Sequence, residues 1–335
     1  MSNQTSAPDD DQVPEQEPGP AQEAAPELVA PEPAYVPEHP RCGFVALVGA
    51  PNAGKSTLLN NIIGQKVSIV SPRVQTTRTR VLGIATEGDS QIVFIDTPGI
   101  FSPKKRLERA MVAAAWQGAT DADLVVLLVD AARKSIDADT RAIIARLKDS
   151  GREAILALNK IDLIKRDKLL ALATTLNAEG IFTDTFMISA ETGDGVKDLR
   201  NLLATRMPEG PWHFPGDQLS DIPMRLLAAE LVREKLFLQL YQELPYSATV
   251  EPEGWEEFDD GSVKISMVVY IERDSQKAIV LGKGGQRIKQ IGAAARTELE
   301  EMLERRVHLF LHVKVREEWT NDPERYRDWN LDYNA

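Results

Sequence analysis

The feature that most constrains the fold is an eight-residue segment that lies between an apolar run and a helix-like stretch. It reads Gly49-Ala-Pro-Asn-Ala-Gly-Lys-Ser56, the pattern of a phosphate-binding loop whose backbone N–H groups surround phosphates. We predict that Lys55 reaches the β- and γ-phosphates and that Ser56 ligates Mg²⁺. A chance Gly-Lys-Ser turn is the alternative, but the spacing and the strand-to-helix context favour the phosphate-binding loop.

Around this loop the chain alternates short β-rich runs with amphipathic stretches. This alternation predicts an α/β fold with a mostly parallel sheet covered by helices. Gly88-Asp89 predicts a hairpin between the second and third strands, and therefore one antiparallel edge pair. Predicted helices include Lys55–Ile63, Asp137–Ser150 and Val196–Met207. The predicted strands are Gly43–Val48, Val81–Thr86, Gln91–Asp96, Leu124–Asp130, Glu153–Asn159 and Thr185–Ser189.

A second phosphate-site motif, Asp96-Thr-Pro-Gly99, follows the third predicted strand. An aspartate at the carboxyl end of a strand, beside a phosphate-binding loop, is placed to hold Mg²⁺ through water. Gly99 offers a backbone N–H that can approach the γ-phosphate. An Asp-x-x-Gly turn is common by itself, so this prediction depends on its spacing after the phosphate-binding loop.

Two later segments predict which base is bound. Asn159-Lys-Ile-Asp162 closes the fifth strand, and the Asp162 carboxylate can accept from guanine N1–H and the 2-amino group together. Adenine offers neither donor and would leave a carboxylate unpaired. Asn159 is expected to tie the base-binding loop to the phosphate-binding loop, and the Lys160 stem to cover the base. Ser189-Ala-Glu191 supplies the Ala190 N–H for the guanine oxygen.

Together with Gln75-Thr-Thr-Arg78, these motifs resemble the TrmE–Era group of translation-type GTPases. The resemblance implies that one threonine of the Thr76–Thr77 pair, with Thr77 favoured, completes the Mg²⁺ shell with Ser56 and Asp96. It also implies that Lys55, Thr77 and Gly99 act in GTP hydrolysis. In this group an asparagine at the place of Asn52 is associated with a K⁺ ion; the alternative is that Asn52 only shapes the loop. The residues predicted to bind GTP are Gly49, Ala50, Pro51, Asn52, Ala53, Gly54, Lys55, Ser56, Thr57, Asp96, Thr97, Pro98, Gly99, Asn159, Lys160, Asp162, Ser189, Ala190 and Glu191.

Two features bear on the rate of hydrolysis. Ile100 stands where Ras-like enzymes carry a water-positioning glutamine, and an apolar side chain cannot orient the attacking water, so slow intrinsic hydrolysis is expected. Arg73, Arg78 and Arg80 follow the phosphate-binding loop. We do not assign an arginine finger among them, because a solvated or RNA-facing basic segment is an equal alternative.

The C-terminal part of the chain predicts an α-β-β-α-α-β order. The sequence Gly282-Lys-Gly-Gly285 lies between its last two helices, and this arrangement resembles an α+β KH domain of the bacterial type, type II. Such a loop lets the backbone approach four nucleotides of single-stranded RNA. The predicted elements are Met224–Leu244, Ala248–Glu251, Val263–Glu272, Ser275–Val280, Gln286–Leu303 and Val307–Val315.

Charge supports the RNA prediction for this part of the chain. Residues 277–316 contain nine Lys or Arg and four Glu, a formal charge of +5 within a chain of −12. A solvated helix face is the alternative explanation of these charges. The residues predicted to bind RNA are Gly282, Lys283, Gly284, Gly285, Arg287 and Lys289.

A phosphate-loop GTPase followed by a type II KH domain is similar to the Era family, over about Gly43 to Trp319. That similarity implies binding of GTP and GDP with Mg²⁺, binding of the 3′ end of 16S ribosomal RNA, and assistance to maturation of the 30S subunit. It also implies a cytoplasmic protein that is partly peripheral at the inner membrane, and we expect a monomer. The alternatives are another TrmE–Era-type GTPase that acts on a different RNA, and an RNA-binding module with a vestigial nucleotide site.

The length of 335 residues suggests two domains. We predict a disordered, acidic, Pro-rich tail at 1–40, a GTPase domain at 41–208, a linker at 209–222, a KH domain at 223–319 and a C-terminal tail at 320–335. Nine carboxylates and no Lys or Arg lie in residues 1–40, so the rest of the chain carries only −3 of the −12 and its charge excludes no nucleic-acid partner. Cys42 is the only cysteine, which excludes an intramolecular disulfide and favours a reducing compartment.

Overall fold

Six strands form the first sheet of the protein. The computed structural model describes residues 37–241 and 244–335, so residues 1–36 of the predicted tail lie outside it. The sheet order is β2-β3-β1-β4-β5-β6, with β2 antiparallel to β3 and every other pair parallel. The predicted parallel sheet and its antiparallel edge pair are therefore confirmed. The strands are β1 (Arg41–Gly49), β2 (Val81–Glu87), β3 (Ser90–Asp96), β4 (Leu124–Asp130), β5 (Ala154–Asn159) and β6 (Phe182–Met187).

Helices cover both faces of this sheet. The central strands are continuous apolar runs because both of their faces are buried. One face packs on α2, α3 and α4, through residues such as Ala115, Ile143 and Leu169, and the other packs on α1 and α5, through Leu58 and Leu199. The helices are α1 (Lys55–Ile63), α2 (Arg106–Asp121), α3 (Ala138–Asp149), α4 (Arg166–Asn177) and α5 (Val196–Arg206).

A second sheet of three strands follows, in the order β7-β8-β9. β7 and β8 are antiparallel, β8 and β9 are parallel, and three helices bury one face of the sheet in a separate apolar core. The predicted element order of a KH domain is confirmed. The elements are α6 (Met224–Gln239), β7 (Ala248–Glu257), β8 (Val263–Ile271), α7 (Asp274–Leu281), α8 (Gln286–Leu303) and β9 (Val307–Val315).

The segment predicted as a linker lies against the first sheet. Trp212 Nε1 donates to the Asp89 carbonyl at 2.9 Å, and the N–H groups of His213 and Phe214 donate to Gln91 Oε1 at 2.9 and 3.0 Å. These bonds hold the segment beside the β2–β3 hairpin. The described residues of the two sheets and this segment belong to one compact unit.

The segment predicted as a C-terminal tail also packs on the fold. It contains the short helix α9 (Pro323–Asp328), whose Tyr326 is buried with Leu331 against Leu107 and Met111 of α2. The end of the KH part of the chain therefore contacts the GTPase part. None of the helices that the structure describes is both long enough and apolar enough to cross a membrane.

Candidate functional site

A cavity of about 330 Å³ lies at the carboxyl ends of β1 and β3, the edge at which ligands of parallel sheets bind. The phosphate-binding loop forms one side of it and the segment Ile69–Thr77 forms the other. Gly99 and Lys160 complete its lining. The structure therefore brings the predicted phosphate-site residues of three separate segments to one place.

Lys55 begins α1 directly beneath this cavity. Its Nζ donates to the carbonyls of Gly49 and Ala50 at 3.1 and 3.2 Å, so the loop is closed around the ammonium group. Burial lowers the pKa of Lys55 to about 8, against the opposing attraction of Asp96. A buried cation held by carbonyl oxygens is placed to meet phosphate oxygens.

Four oxygen-bearing side chains converge beside Lys55. Ser56 Oγ donates to Asp96 Oδ2 at 2.7 Å and lies 3.0 Å from Thr77 Oγ1. Ser68, which the sequence did not suggest, also donates to Asp96 Oδ2, at 2.8 Å. Asp96 Oδ1 is buried without a hydrogen-bond partner, and burial raises the pKa of this carboxyl group. Hydroxyl and carboxylate oxygens with an unmet acceptor fit Mg²⁺, which prefers oxygen ligands.

The turn after Asp96 is fastened to the phosphate-binding loop. Thr97 Oγ1 donates to the Leu47 carbonyl at 2.8 Å, and the Ile100 N–H donates to the Gly49 carbonyl at 3.1 Å. A Cβ at Gly99 would lie 3.0 Å from Pro51 Cα, so only glycine fits without displacing the loop. Ile100 is buried in the core, so its side chain takes no part in orienting water.

Asn52 connects the phosphate-binding loop to the facing segment. Its Nδ2 donates to the Pro72 carbonyl at 2.9 Å, and its backbone has a φ of 63°, which asparagine tolerates better than most residues. This contact gives Asn52 a role in shaping the loop.

Asn159 joins the segments that are predicted to bind the base to the phosphate-binding loop. Its Nδ2 donates to the Ala53 carbonyl and its Oδ1 accepts from the Ala190 N–H, each at 2.8 Å. A Cβ at Gly54 would collide with Asn159 Nδ2, which explains the glycine there. The Ala190 N–H, predicted to meet the guanine oxygen, is therefore engaged by Asn159 in this structure.

The other residues that are predicted to bind the base lie along the same edge of the sheet. Lys160 lines the phosphate cavity, and its Nζ donates to Asp130 Oδ2 at 2.7 Å. Asp162 and Ser189 instead line a neighbouring cavity of about 500 Å³. Asp162 and Glu191 are exposed.

The predicted RNA-binding loop is a short turn between α7 and α8. Gly282, Gly284 and Gly285 have positive φ values of 71°, 59° and 77°, which favour glycine. A Cβ at Gly284 or Gly285 would meet no atom within 4 Å, so the turn presents open backbone. Lys283 is exposed, whereas the Arg287 side chain folds back and donates to the Ile279 carbonyl at 3.4 Å.

Beside this turn, α8 and β9 enclose a cavity of about 290 Å³. Lys289 lines it, together with Arg296 and Phe310, which the sequence did not single out. Phe310 is 48% exposed, and an exposed aromatic side chain beside basic residues is suited to stacking on a base. The sequence signal that could have indicated Phe310 is its alternation with His308 and His312 in the last strand.

Two of the three arginines that follow the phosphate-binding loop are held by backbone carbonyls. Arg73 donates through Nε to the Phe237 carbonyl at 2.6 Å. It also donates through Nη2 to the carbonyl of Leu240, the residue that follows α6. Arg78 is buried and donates to the Ala248 carbonyl at 3.0 Å; burial, and then the nearby Arg233, lower its pKa to about 9. The expectation of a solvated or RNA-facing segment is wrong for these two residues, because their carbonyl partners belong to the KH part of the chain. Arg80 alone is exposed.

The fold and the site define a phosphate-loop GTPase joined to a KH domain. Residues 44–160 match the family described as 50S ribosome-binding GTPase, and residues 243–320 match the KH domain family. The chain is 59% identical to the GTPase Era of Sinorhizobium medicae and 57% identical to that of Brucella suis, in each case over 88% of this chain and 94% of the relative. The chain belongs to the GTPase Era family.

Two solved structures share the whole architecture. Era in complex with MgGDPNP and nucleotides 1506–1542 of 16S ribosomal RNA has a TM-score of 0.82 and 40% identity. An Aquifex aeolicus Era variant bound to GDP·AlF₄⁻ has a TM-score of 0.81 and 39% identity. Each match covers 86% of this chain and 98% of the other. The protein is a GTPase, which removes the vestigial-site alternative, and its family removes the alternative of a different TrmE–Era-type enzyme.

Proposed function

We propose that this GTPase binds the 3′ end of 16S ribosomal RNA through its KH domain and assists maturation of the 30S subunit, with GTP governing binding and release. The observation that carries the proposal is the open Gly282–Gly285 turn beside a basic cavity, in one compact unit with the nucleotide site. The relative with 40% identity that is bound to MgGDPNP and a 16S fragment supports it.

In the nucleotide site, Lys55 binds the β- and γ-phosphates, and the Gly99 N–H approaches the γ-phosphate. Ser56 and Thr77 would hold Mg²⁺ directly and Asp96 would hold it through water; when bound, this ion neutralises charge on the β- and γ-phosphates. The convergence of these oxygens and the unmet Asp96 Oδ1 support the assignment. With Ile100 buried, no side chain at that position orients water, so hydrolysis by the protein alone is slow.

Guanine is selected at the other end of the site. Asp162 accepts two hydrogen bonds from the base, the Lys160 stem covers one face, and the loop at Ser189–Glu191 closes around the guanine oxygen. Asn159 supports this arrangement, because its amide already joins both loops. Thr57, Pro98 and the remaining residues predicted above to bind GTP complete the nucleotide site.

We further propose that Asn52 ligates K⁺ near the phosphates, where the cation would replace an arginine finger. GTP hydrolysis should then be faster in KCl than in NaCl at equal ionic strength. Asn52→Ala should abolish the difference while nucleotide affinity changes little. Equal rates of wild-type hydrolysis in the two salts would leave Asn52 as a loop residue that holds Pro72.

RNA binding can be tested at the glycine-rich turn. Lys283→Asp with Gly284→Asp replaces one ammonium group by two carboxylates where phosphates would pass, and should weaken binding of a 16S 3′-end oligonucleotide at least a hundredfold. The matched control is Lys168→Asp with Gly180→Asp. It makes the same charge change at an exposed lysine and at a glycine that also has positive φ and open space. Equal RNA affinity of the two double variants would refute the RNA site.

We infer a cytoplasmic location from the ribosomal RNA partner. Peripheral association with the inner membrane rests on resemblance to the family alone, and a monomer remains our expectation.

A further inference from the structure

Lys160 has a contact that its proposed role in covering the base does not require. Its Nζ donates to Asp130 Oδ2 at 2.7 Å, and this carboxylate side chain is only 11% exposed. Asp130 is the last residue of β4 and lies directly beside Asn159 in the sheet register. The contact therefore joins the end of β4 to the base-binding segment at the end of β5.

Asp130 is itself held firmly. Its Oδ1 accepts from the Ala132 N–H at 3.0 Å, and the next residue, Ala131, donates its N–H to the Asn159 carbonyl at 2.9 Å. One carboxylate oxygen is thus fixed by the backbone, and this also fixes the position of the second oxygen, Oδ2. A rigid carboxylate is able to hold a flexible lysine in one conformation.

The backbone of Lys160 shows that its conformation is imposed. Its φ is 67°, in the left-handed region that a lysine adopts only at a cost. The following N–H, of Ile161, donates to the Ile188 carbonyl at 3.3 Å. The main chain is thus fixed at one end of the side chain and the ammonium group at the other, so the stem between them is held at both ends.

Arg133 also lies near the Asp130 carboxylate. Its guanidinium contacts Asp137 at 2.8 Å and Asp130 at only 3.7 Å, and it donates to the Pro51 carbonyl of the phosphate-binding loop at 3.0 Å. Asp137 is therefore the main anchor of Arg133. Removing the charge of Asp130 should release Lys160 and leave Arg133 in place.

We propose that Asp130 is a positioning residue for guanine-nucleotide binding, which holds the Lys160 stem in the extended conformation that covers the base. This inference rests on the proposed role of Lys160. A lysine side chain that is already ordered loses less conformational entropy when the nucleotide binds. The stem covers the base, which GDP and GTP share, so the effect on affinity should be equal for the two nucleotides.

The test is a double-mutant cycle on nucleotide affinity. Asp130→Asn keeps the Oδ1 acceptor for Ala132 and removes the charge, and Lys160→Met keeps the stem and removes the ammonium group. Each should raise the Kd of GDP and of GTP about tenfold, and to the same extent for the two nucleotides. The double variant should be no weaker than either single variant, because both changes break one contact.

Controls separate this inference from the assignment on which it depends. Asp149→Asn, at an exposed position at the end of α3, makes the same charge change and should leave both Kd values unchanged. Lys160→Ala removes the stem and should raise the Kd of both nucleotides more than Lys160→Met does. If Lys160→Ala has no effect on either Kd, the base-covering role itself is wrong. If Lys160→Ala weakens binding but Asp130→Asn does not, or if Asp130→Asn retains its effect in the Lys160→Met background, the positioning role is overturned and the base-covering role stands.

Discussion

Lys55 is a residue whose burial has a measurable consequence. Burial holds its folded-state pKa at about 8, below the ordinary 10.5, so the unfolded chain binds more protons between these two values. The unfolding free energy therefore rises with pH across that window, by about 3 kcal/mol at most. Below pH 8 the protein carries the full cost of burying the charge.

Comparison with Lys55→Met isolates this effect, since methionine keeps the length and removes the charge. The unfolding free energy of the wild type, relative to that of Lys55→Met, should increase by about 2 kcal/mol between pH 7 and pH 10. Urea unfolding at the two pH values, without added nucleotide, measures the difference. A difference that does not change with pH would contradict the buried, charged state of Lys55.

Asp162 decides the base in the proposed site. Asp162→Asn places an amide N–H donor opposite the N–H donors of guanine. The affinity for GTP should fall about a hundredfold, which is the loss expected for two charge-assisted hydrogen bonds. Xanthosine triphosphate, which presents a carbonyl there, should bind the variant better than the wild type. Asp167→Asn, exposed in the first turn of α4, is the matched control. Unchanged GTP affinity in Asp162→Asn would exclude Asp162 from base recognition.

At the scale of elements, α9 depends on packing rather than on its own propensity. Six residues are too few to form a stable isolated helix, but Tyr326 is 1% exposed and its hydroxyl donates to the Thr320 carbonyl at 2.7 Å. Tyr326→Ala should lower the unfolding free energy by about 3 kcal/mol. Tyr241→Ala, at a position 69% exposed, should change it by less than about 0.5 kcal/mol. Urea unfolding curves check both, and equal stabilities would mean that the C-terminal segment does not pack on α2.

Elements that are stabilised by local signals could be predicted from the sequence, and elements that depend on distant packing could not. Lys55–Ile63, Gln286–Leu303 and Val307–Val315 were predicted with the bounds that the structure has, because capping glycines or long periodic runs mark them. The helix α9 was missed because its six residues carry no periodicity, and its stability comes from α2, more than two hundred residues earlier in the chain.

Some residues of the candidate site could likewise be predicted from the sequence, and others could not. Residues that belong to local motifs, such as Lys55, Asp96 and Asn159, could be identified because the spacing of each motif is fixed by the loop that contains it. Ser68 and Asp130 lie in no motif and reach the site only through the folded arrangement of strands. Their contribution could not be read from a single sequence.

At the scale of the whole molecule, the segment facing the phosphate-binding loop also contacts the KH part of the chain. Glu234 of α6 is 3% exposed, accepts from the Val70 N–H at 2.8 Å and pairs with Lys66 at 2.7 Å. Arg73 and Arg78 donate to carbonyls of α6 and of the residues around β7. This segment therefore lies in contact with both the phosphate cavity and the KH part of the chain.

The most direct measurement of the central claim is single-turnover GTP hydrolysis by the full chain with and without a 16S 3′-end oligonucleotide. We predict slow hydrolysis by the protein alone, since Ile100 positions no water, and faster hydrolysis when the RNA is bound. Lys283→Asp with Gly284→Asp should keep the slow basal rate and lose the acceleration, whereas Lys168→Asp with Gly180→Asp should retain both. A hydrolysis rate that the RNA leaves unchanged in the wild type, or an acceleration that survives in the Lys283–Gly284 double variant, would contradict the account.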